Sequence, residues 1–430
     1  MTQTNKTSSV VTRQYLVPFI LVTSLFSLWG FANDITNPMV RAFTKVLLMT
    51  NFEGALVQFA FYGGYFAMAF VAAYFIKKYS YKTGIMVGLA LYSIGSLMFY
   101  PSSLTEMFWP FLVSYFVMTC GLSFLETSAN PYILSMGDEA TATRRLNLAQ
   151  AFNPMGSLLG MFTAQNFILA RMNSASYEER EALRAVDPEA FELMRQADLV
   201  VIRNPYVILG IVVAAFFVMF LLCKMPKAQS TGEFNIRDTF RRLLKNKRYY
   251  EGVIAQFFYV GVQIMCWTFI IHYAEMELGI PNDTAQLYNI AAMAIFCVSR
   301  FICTYLLKYM RPGVLLKYLA FGGGLLVLGV IFIKGMLGLY CLIGVSACMS
   351  LMFPTIYGIA LEGIGQDAEF GAAGLIMAIL GGSVMPPLQA KFIDQDVILG
   401  LSGVRFSFIL PFICFVIIAI YGHRNRNLAR

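Results

Sequence analysis

Pro205-Tyr-Val-Ile-Leu-Gly-Ile-Val-Val-Ala-Ala-Phe-Phe-Val-Met-Phe-Leu-Leu-Cys223 runs for nineteen residues without a charged side chain. A helix of that length rises about 28 Å, close to the hydrocarbon thickness of a bilayer. Two more stretches read the same way. Gly84 to Tyr100 has no charge, and Val404 to Gly422 has only Arg405, at one edge. Of the 430 residues 58% are hydrophobic and 13% charged, more apolar surface than a water-soluble core can hide. The expected fold is an all-α membrane protein, with the lipid bilayer as part of its solvent.

Apolar runs set against turn and charge clusters predict twelve transmembrane helices. Six lie near 15–40, 53–76, 84–100, 108–135, 146–170 and 205–223, and six near 251–273, 285–307, 315–333, 338–361, 371–389 and 404–422. The expected division is an N-terminal tail (1–14), a six-helix bundle (15–223), a basic linker (224–250), a second six-helix bundle (251–422) and a C-terminal tail (423–430). With the N-terminus cytoplasmic, the inside segments hold 21 Lys and Arg and the outside loops 9, which orients both termini inward. Residues 1–14 are polar, and the first apolar run leads into Asn33 and Asp34, not into a small-residue cleavage site. The first span is expected to remain in the mature protein.

The net charge of +8 does not point to nucleic acid, because the basic residues sit in short loops between apolar runs. The linker holds eight of them, including Arg242 and Arg248, and reads as positive-inside anchoring or an anionic-lipid contact. The eight cysteines lie in or beside apolar runs without a CxxC pair, and the two histidines, His272 and His423, are isolated. Neither pattern suits a metal site. No Gly-x4-Gly-Lys-Ser/Thr loop occurs, so no cofactor is expected and the work is assigned to a proton gradient. One proton crossing 100 mV releases about 2.3 kcal/mol, enough for roughly 40-fold accumulation of a neutral solute.

The segment from Arg171 to Asn204 is the one long outside loop, with an amphipathic stretch at 177–200 that reads as a solvated cap. The two halves echo each other. Pro154, Gly156 and Ser157 in the fifth span have their counterparts in Gly382, Ser383 and Pro386 in the eleventh, as expected for a carrier built from two six-helix repeats.

Polar residues inside the spans are the candidate solute path. Gly121-Leu-Ser-Phe-Leu-Glu-Thr-Ser-Ala-Asn-Pro131 buries a carboxylate, Glu126, at an insertion cost of about 2.5–3.5 kcal/mol. An apolar setting disfavours the ionised carboxylate, which makes Glu126 a candidate proton carrier. A permanently protonated group, or a pair with Arg300 or with Arg144 and Arg145, is the alternative. Asn33, Asp34 and Asn37 cluster before Pro38, and Asp34 is a second candidate proton site or a residue of the outer mouth. Asn147, Gln150 and Asn153 recur at threes and form an amide stripe suited to sugar hydroxyls or to helix-to-helix bonds. Tyr259, Gln263 and Trp267, four apart on the seventh span, offer a ring surface beside an amide, which suits a sugar ring or plain packing.

These residues resemble the fucose/proton symporter family of the major facilitator superfamily from Tyr15 to Tyr421. The likeness is carried by Ser24-Leu-Phe-Ser-Leu-Trp-Gly30, Leu125-Glu-Thr-Ser-Ala-Asn-Pro131, Arg145-Leu-Asn-Leu-Ala-Gln-Ala-Phe-Asn153, Ala255-Gln-Phe-Phe-Tyr-Val-Gly261 and Phe353-Pro-Thr-Ile356. The resemblance implies a monomeric sugar and proton symporter of the bacterial inner membrane, L-fucose being the expected sugar. It puts Glu126 on the family's fourth-span acid, and Gln150 and Asn153 on cavity-lining positions. Asn33, Asn37, Asn130 and Phe353 join the expected sugar contacts. Two departures stand out. Asn37 occupies the first-span acid position, leaving Asp34 one turn away, and Phe353 stands where the fucose carrier has a tyrosine. Relatives carrying glucose, galactose or amino sugars share much of the pattern, and passive facilitation is the other alternative.

Overall fold

The computed structural model describes residues 10–36, 38–49, 51–225, 235–395 and 397–427. Among them, eleven helices are long and apolar enough to cross a membrane, from Arg13–Thr36 to Gly403–Arg424. The twelfth expected span, 146–170, arrives in pieces: Ala142–Gln150, a turn at Ala151 and Phe152, Asn153–Thr163, and a π-helical segment Ala164–Leu169. Polar side chains lower its apolar content, and Pro154 supplies no N–H for the carbonyl four residues back. The eleventh span breaks at the matching place, Ala368–Met377 giving way to a 3₁₀ turn, Ala378–Leu380, before Gly381–Ile393. The internal echo read from Pro154 and Pro386 is thus an echo of discontinuous helices.

Several boundaries differ from the sequence reading. The first span ends at Thr36, and Pro38 opens a separate helix, Met39–Val46. The 177–200 stretch is not one cap. Tyr177–Val186 is closed by a Ser176–Glu179 capping box. Pro188–Leu222 then runs as one 35-residue helix from the loop through the sixth span. The buried pair of Arg180 and Asp198, 2.5 Å apart, ties the short helix to the long one. Asp198 also accepts from the Asn173 backbone N–H at 2.8 Å. A two-stranded hairpin, Val397–Ile398 with Leu401–Ser402, interrupts the all-helical expectation. Its tip, Leu399 and Gly400, has φ of 51° and 80°, as a primed turn requires.

By proximity the chain forms two compact units. One comprises Ser24–Ala129 and Met155–Lys227; the other comprises Met1–Thr23, Asn130–Pro154 and Ala228–Arg430. They are called here the Glu126 unit and the Arg300 unit. In the Glu126 unit an aromatic core closes around Tyr206, whose hydroxyl meets that of Tyr115 at 2.9 Å and whose ring stacks on Phe99 at 4.0 Å. The opposite face of the same helix exposes Ile208, Ile211 and Leu222, as a lipid-facing surface does.

In the Arg300 unit two of the linker cations have protein partners. Arg242 holds Asp367 through two 2.7 Å hydrogen bonds, and Arg248 donates to the Glu362 carbonyl. Arg145 is fully buried. Its guanidinium donates to the carbonyls of Ile133 (2.7 Å) and Leu134 at the end of the fourth span and to that of Val10 (2.9 Å) ahead of the first, tying the two segments together.

Candidate functional site

The candidate residues divide between the two units. In the Glu126 unit, Glu126 is half-buried on Phe108–Leu134, and Tyr65 of Asn51–Lys78 donates its phenolic hydrogen to Oε1 at 3.1 Å. The two helices touch closely here. A Cβ on Gly64 would lie 2.9 Å from the Thr119 Cβ and 3.0 Å from the Phe116 carbonyl. One turn before Glu126, Ser123 Oγ donates to the Tyr65 carbonyl at 3.1 Å. The indole of Trp29, 1% exposed and packed 4.4 Å from Phe26, lies beside the same carboxyl without completing a hydrogen bond. Asn33 and Asp34 are half-buried on the last turn of Leu16–Thr36, with Tyr62 in electrostatic reach of Asp34. Asn37 lies outside the described residues.

The Arg300 unit gathers the amides and aromatics. The amide stripe is not continuous, because the helix turns after Gln150 and Asn153 opens the next one. Gln150 is buried and donates to Asn130 Oδ1 at 2.9 Å. Asn147 reaches across to Thr355 Oγ1 at 3.2 Å, so it joins helices. Tyr259 is buried and donates to the Met349 carbonyl at 3.1 Å; its ring meets Phe353 at 6.2 Å, and Phe353 stacks on Tyr357. Asn153, Gln263, Trp267 and Phe353 remain half-buried. Trp267 is fixed by its Nε1 bond to Ser346 (3.2 Å) and by an edge contact with Phe296 (4.9 Å).

Arg300 was read from sequence only as a possible partner of Glu126. In the structure it is 3% exposed, lies over the Phe296 ring, and donates to two carbonyls: Ser350 at 2.5 Å and Gln150 at 3.0 Å. Each of these carbonyls stands four residues before a proline, Pro354 and Pro154, which has no N–H to offer it. One planar guanidinium therefore fills two vacancies that prolines create. Around it, segment 139–152 is laced to the tenth span and its exit loop and, through Phe152, to the eighth span. Glu139 accepts from the Gly363 N–H (3.1 Å), Thr143 packs on Gly358, Asn147 bonds Thr355, and Phe152 meets Phe301 edge-on. Sequence reasoning missed Tyr65 and the lacing. A proline four residues after each orphaned carbonyl was the available signal for Arg300.

One unit thus holds a half-buried carboxyl with a neutral donor, and the other a set of ring faces and amides. The Major Facilitator Superfamily model matches residues 20–387, and the chain belongs to that superfamily of membrane transporters. More particularly, it is 55% identical over 421 residues to the L-fucose-proton symporter of Haemophilus influenzae, covering 97% of this chain and 98% of the relative. To the L-fucose-proton symporter of Escherichia coli strain K12 it is 32% identical, covering 97% and 95%. A solved structure of the E. coli fucose:proton symporter superposes with a TM-score of 0.87 at 31% identity, covering 97% of this chain and 100% of that one. The fold is the major facilitator fold of two six-helix halves.

Proposed function

We propose that this chain is a proton-coupled symporter that imports L-fucose by alternating access, as a monomer in the bacterial inner membrane with both termini cytoplasmic. The near full-length likeness at 55% identity to a relative named for that activity is the observation that carries the reading. Glu126 takes up the proton. Asp34, with Tyr62 nearby, is the second acidic group available where the first-span position is Asn37. Gln263, Trp267, Phe353 and Asn153 present amides and ring faces to the sugar, while the buried Gln150 and Asn130 bond each other and Tyr259 backs the Phe353 ring. Protonation neutralises Glu126, so the loaded carrier crosses its midpoint without an exposed charge, and the gradient supplies about 2.3 kcal/mol per 100 mV.

The test uses sealed vesicles at zero applied gradient. Adding L-fucose outside is expected to make the external medium alkaline, with radiolabelled sugar recovered chemically unchanged inside. Uptake without proton movement would reveal a facilitator. A competition panel of galactose, glucose and N-acetylglucosamine decides the sugar; stronger competition by one of these than by L-fucose overturns the assignment.

A further inference from the structure

We propose that Tyr65 is the positioning residue for the Glu126 proton site, holding the carboxyl in one geometry and serving both of its protonation states. The inference rests on Glu126 as the proton carrier. A carboxyl that must load and release a proton within an apolar helix needs a partner for each state. A guanidinium or ammonium would favour only the ionised form. A phenol is neutral and works in both directions: its O–H donates to the carboxylate, and its oxygen accepts from the protonated carboxyl. In the structure Tyr65 donates to Glu126 Oε1 at 3.1 Å and is 3% exposed, so water cannot readily take its place.

The placement of Tyr65 is over-determined. Its carbonyl accepts from Ser123 Oγ at 3.1 Å, and Ser123 lies one turn from Glu126 on the same helix. The residue is thus held at its backbone and at its hydroxyl by a single turn of the fourth span. Gly64, next in the chain, lets the second span come within contact of Thr119, and the Phe61 ring packs on Tyr65 at 5.8 Å. A substitution that keeps the ring and removes the hydroxyl leaves this packing intact and tests the hydrogen bond alone.

The experiment places Tyr65→Phe in the full-length chain in proteoliposomes and measures two rates with L-fucose. Net uphill uptake requires Glu126 to release its proton; equilibrium exchange of labelled for unlabelled sugar does not. Net uptake is expected to fall about tenfold, the effect of a hydrogen bond to a charged group. Exchange stays within about twofold. Ser123→Ala, which loosens only the backbone hold, is expected to move the same ratio in the same direction by a smaller factor and serves if Tyr65→Phe is poorly folded. In a Glu126→Gln background, Tyr65→Phe leaves exchange unchanged. Equal loss of both rates in Tyr65→Phe, or loss of exchange in the Glu126→Gln background, overturns the proposal. Full uphill accumulation by Glu126→Gln alone instead refutes Glu126 as the proton carrier, an outcome visible without any Tyr65 variant.

Discussion

Adding one carbon at Gly358 is expected to loosen the lacing between segment 139–152 and the tenth span. A Cβ there would lie 2.6 Å from Thr143 Oγ1 and 3.0 Å from the Thr143 Cβ and Cγ2. Thr is β-branched and stiff at χ1, so it cannot swing away and the helices must part. Overpacking of this kind costs about 1–3 kcal/mol. Alanine also gains about 1 kcal/mol over glycine in a helix interior, and a matched control removes that gain. Gly344→Ala is the control, since its Cβ would meet only the flexible end of Leu326, at 3.5 Å. Relative to Gly344→Ala, Gly358→Ala should lower the detergent melting temperature by at least a few degrees at a fixed scan rate. Thr143→Ala removes two of the three crowding atoms and should close most of the gap when combined with Gly358→Ala. Equal melting of the two glycine variants, or a Gly358 penalty unchanged by Thr143→Ala, would refute the close packing on which the reasoning rests.

Glu126→Gln should abolish uphill sugar accumulation while leaving exchange measurable; intact accumulation would make Glu126 structural. Asp198→Ala strands the fully buried Arg180 charge and is expected to cost about 3–5 kcal/mol, read as lost thermal stability and faster proteolysis at 171–200. A cost no larger than that of Asp187→Ala, a surface cap, would count against the clasp. The Arg195 guanidinium beside Glu106 holds that carboxyl below the usual carboxylate range. Because the folded value is the lower one, this contribution is complete above the ordinary carboxylate value of about 4.3 and is lost as the pH falls through the folded value. The protection of amides around 106 and 192–196, taken relative to their intrinsic exchange at each pH, should therefore fall in acid, and in Glu106→Gln this fall in protection should vanish; a persistent fall assigns it to another group.

The spans were legible because lipid imposes a one-dimensional rule, a long run without charge, that Pro205 to Cys223 obeys by itself. What the rule cannot carry is where a helix breaks or continues. Arg195 and Arg203 made the segment before Pro205 read as loop, yet the structure continues the helix through them, Arg195 meeting Glu106 and Arg203 bonding Ser103 at 2.9 Å. The amide stripe at threes reads as one helix face, but the helix turns after Gln150 and the stripe is broken there. Asn147 serves Thr355, more than two hundred residues away, and no local pattern announces such a partner. Glu126 was visible as a charge out of place, whereas Tyr65 was one aromatic among 23 tyrosines and 38 phenylalanines until the fold set it against the carboxyl. Composition finds the anomaly; only geometry finds what answers it.

The two carbonyls held by Arg300 set a condition on motion. A rearrangement that draws Gln150 and Ser350 away from the guanidinium takes that donor from both acceptors at once, and the residue four positions on in each case is a proline, with no N–H to replace it. Left dry, the pair would cost about 2–6 kcal/mol. Hydration has to accompany the parting. Wetting of this one spot is thus tied to the backbone by two prolines and a single cation, and the rate at which water arrives there becomes part of the rate at which the protein can move.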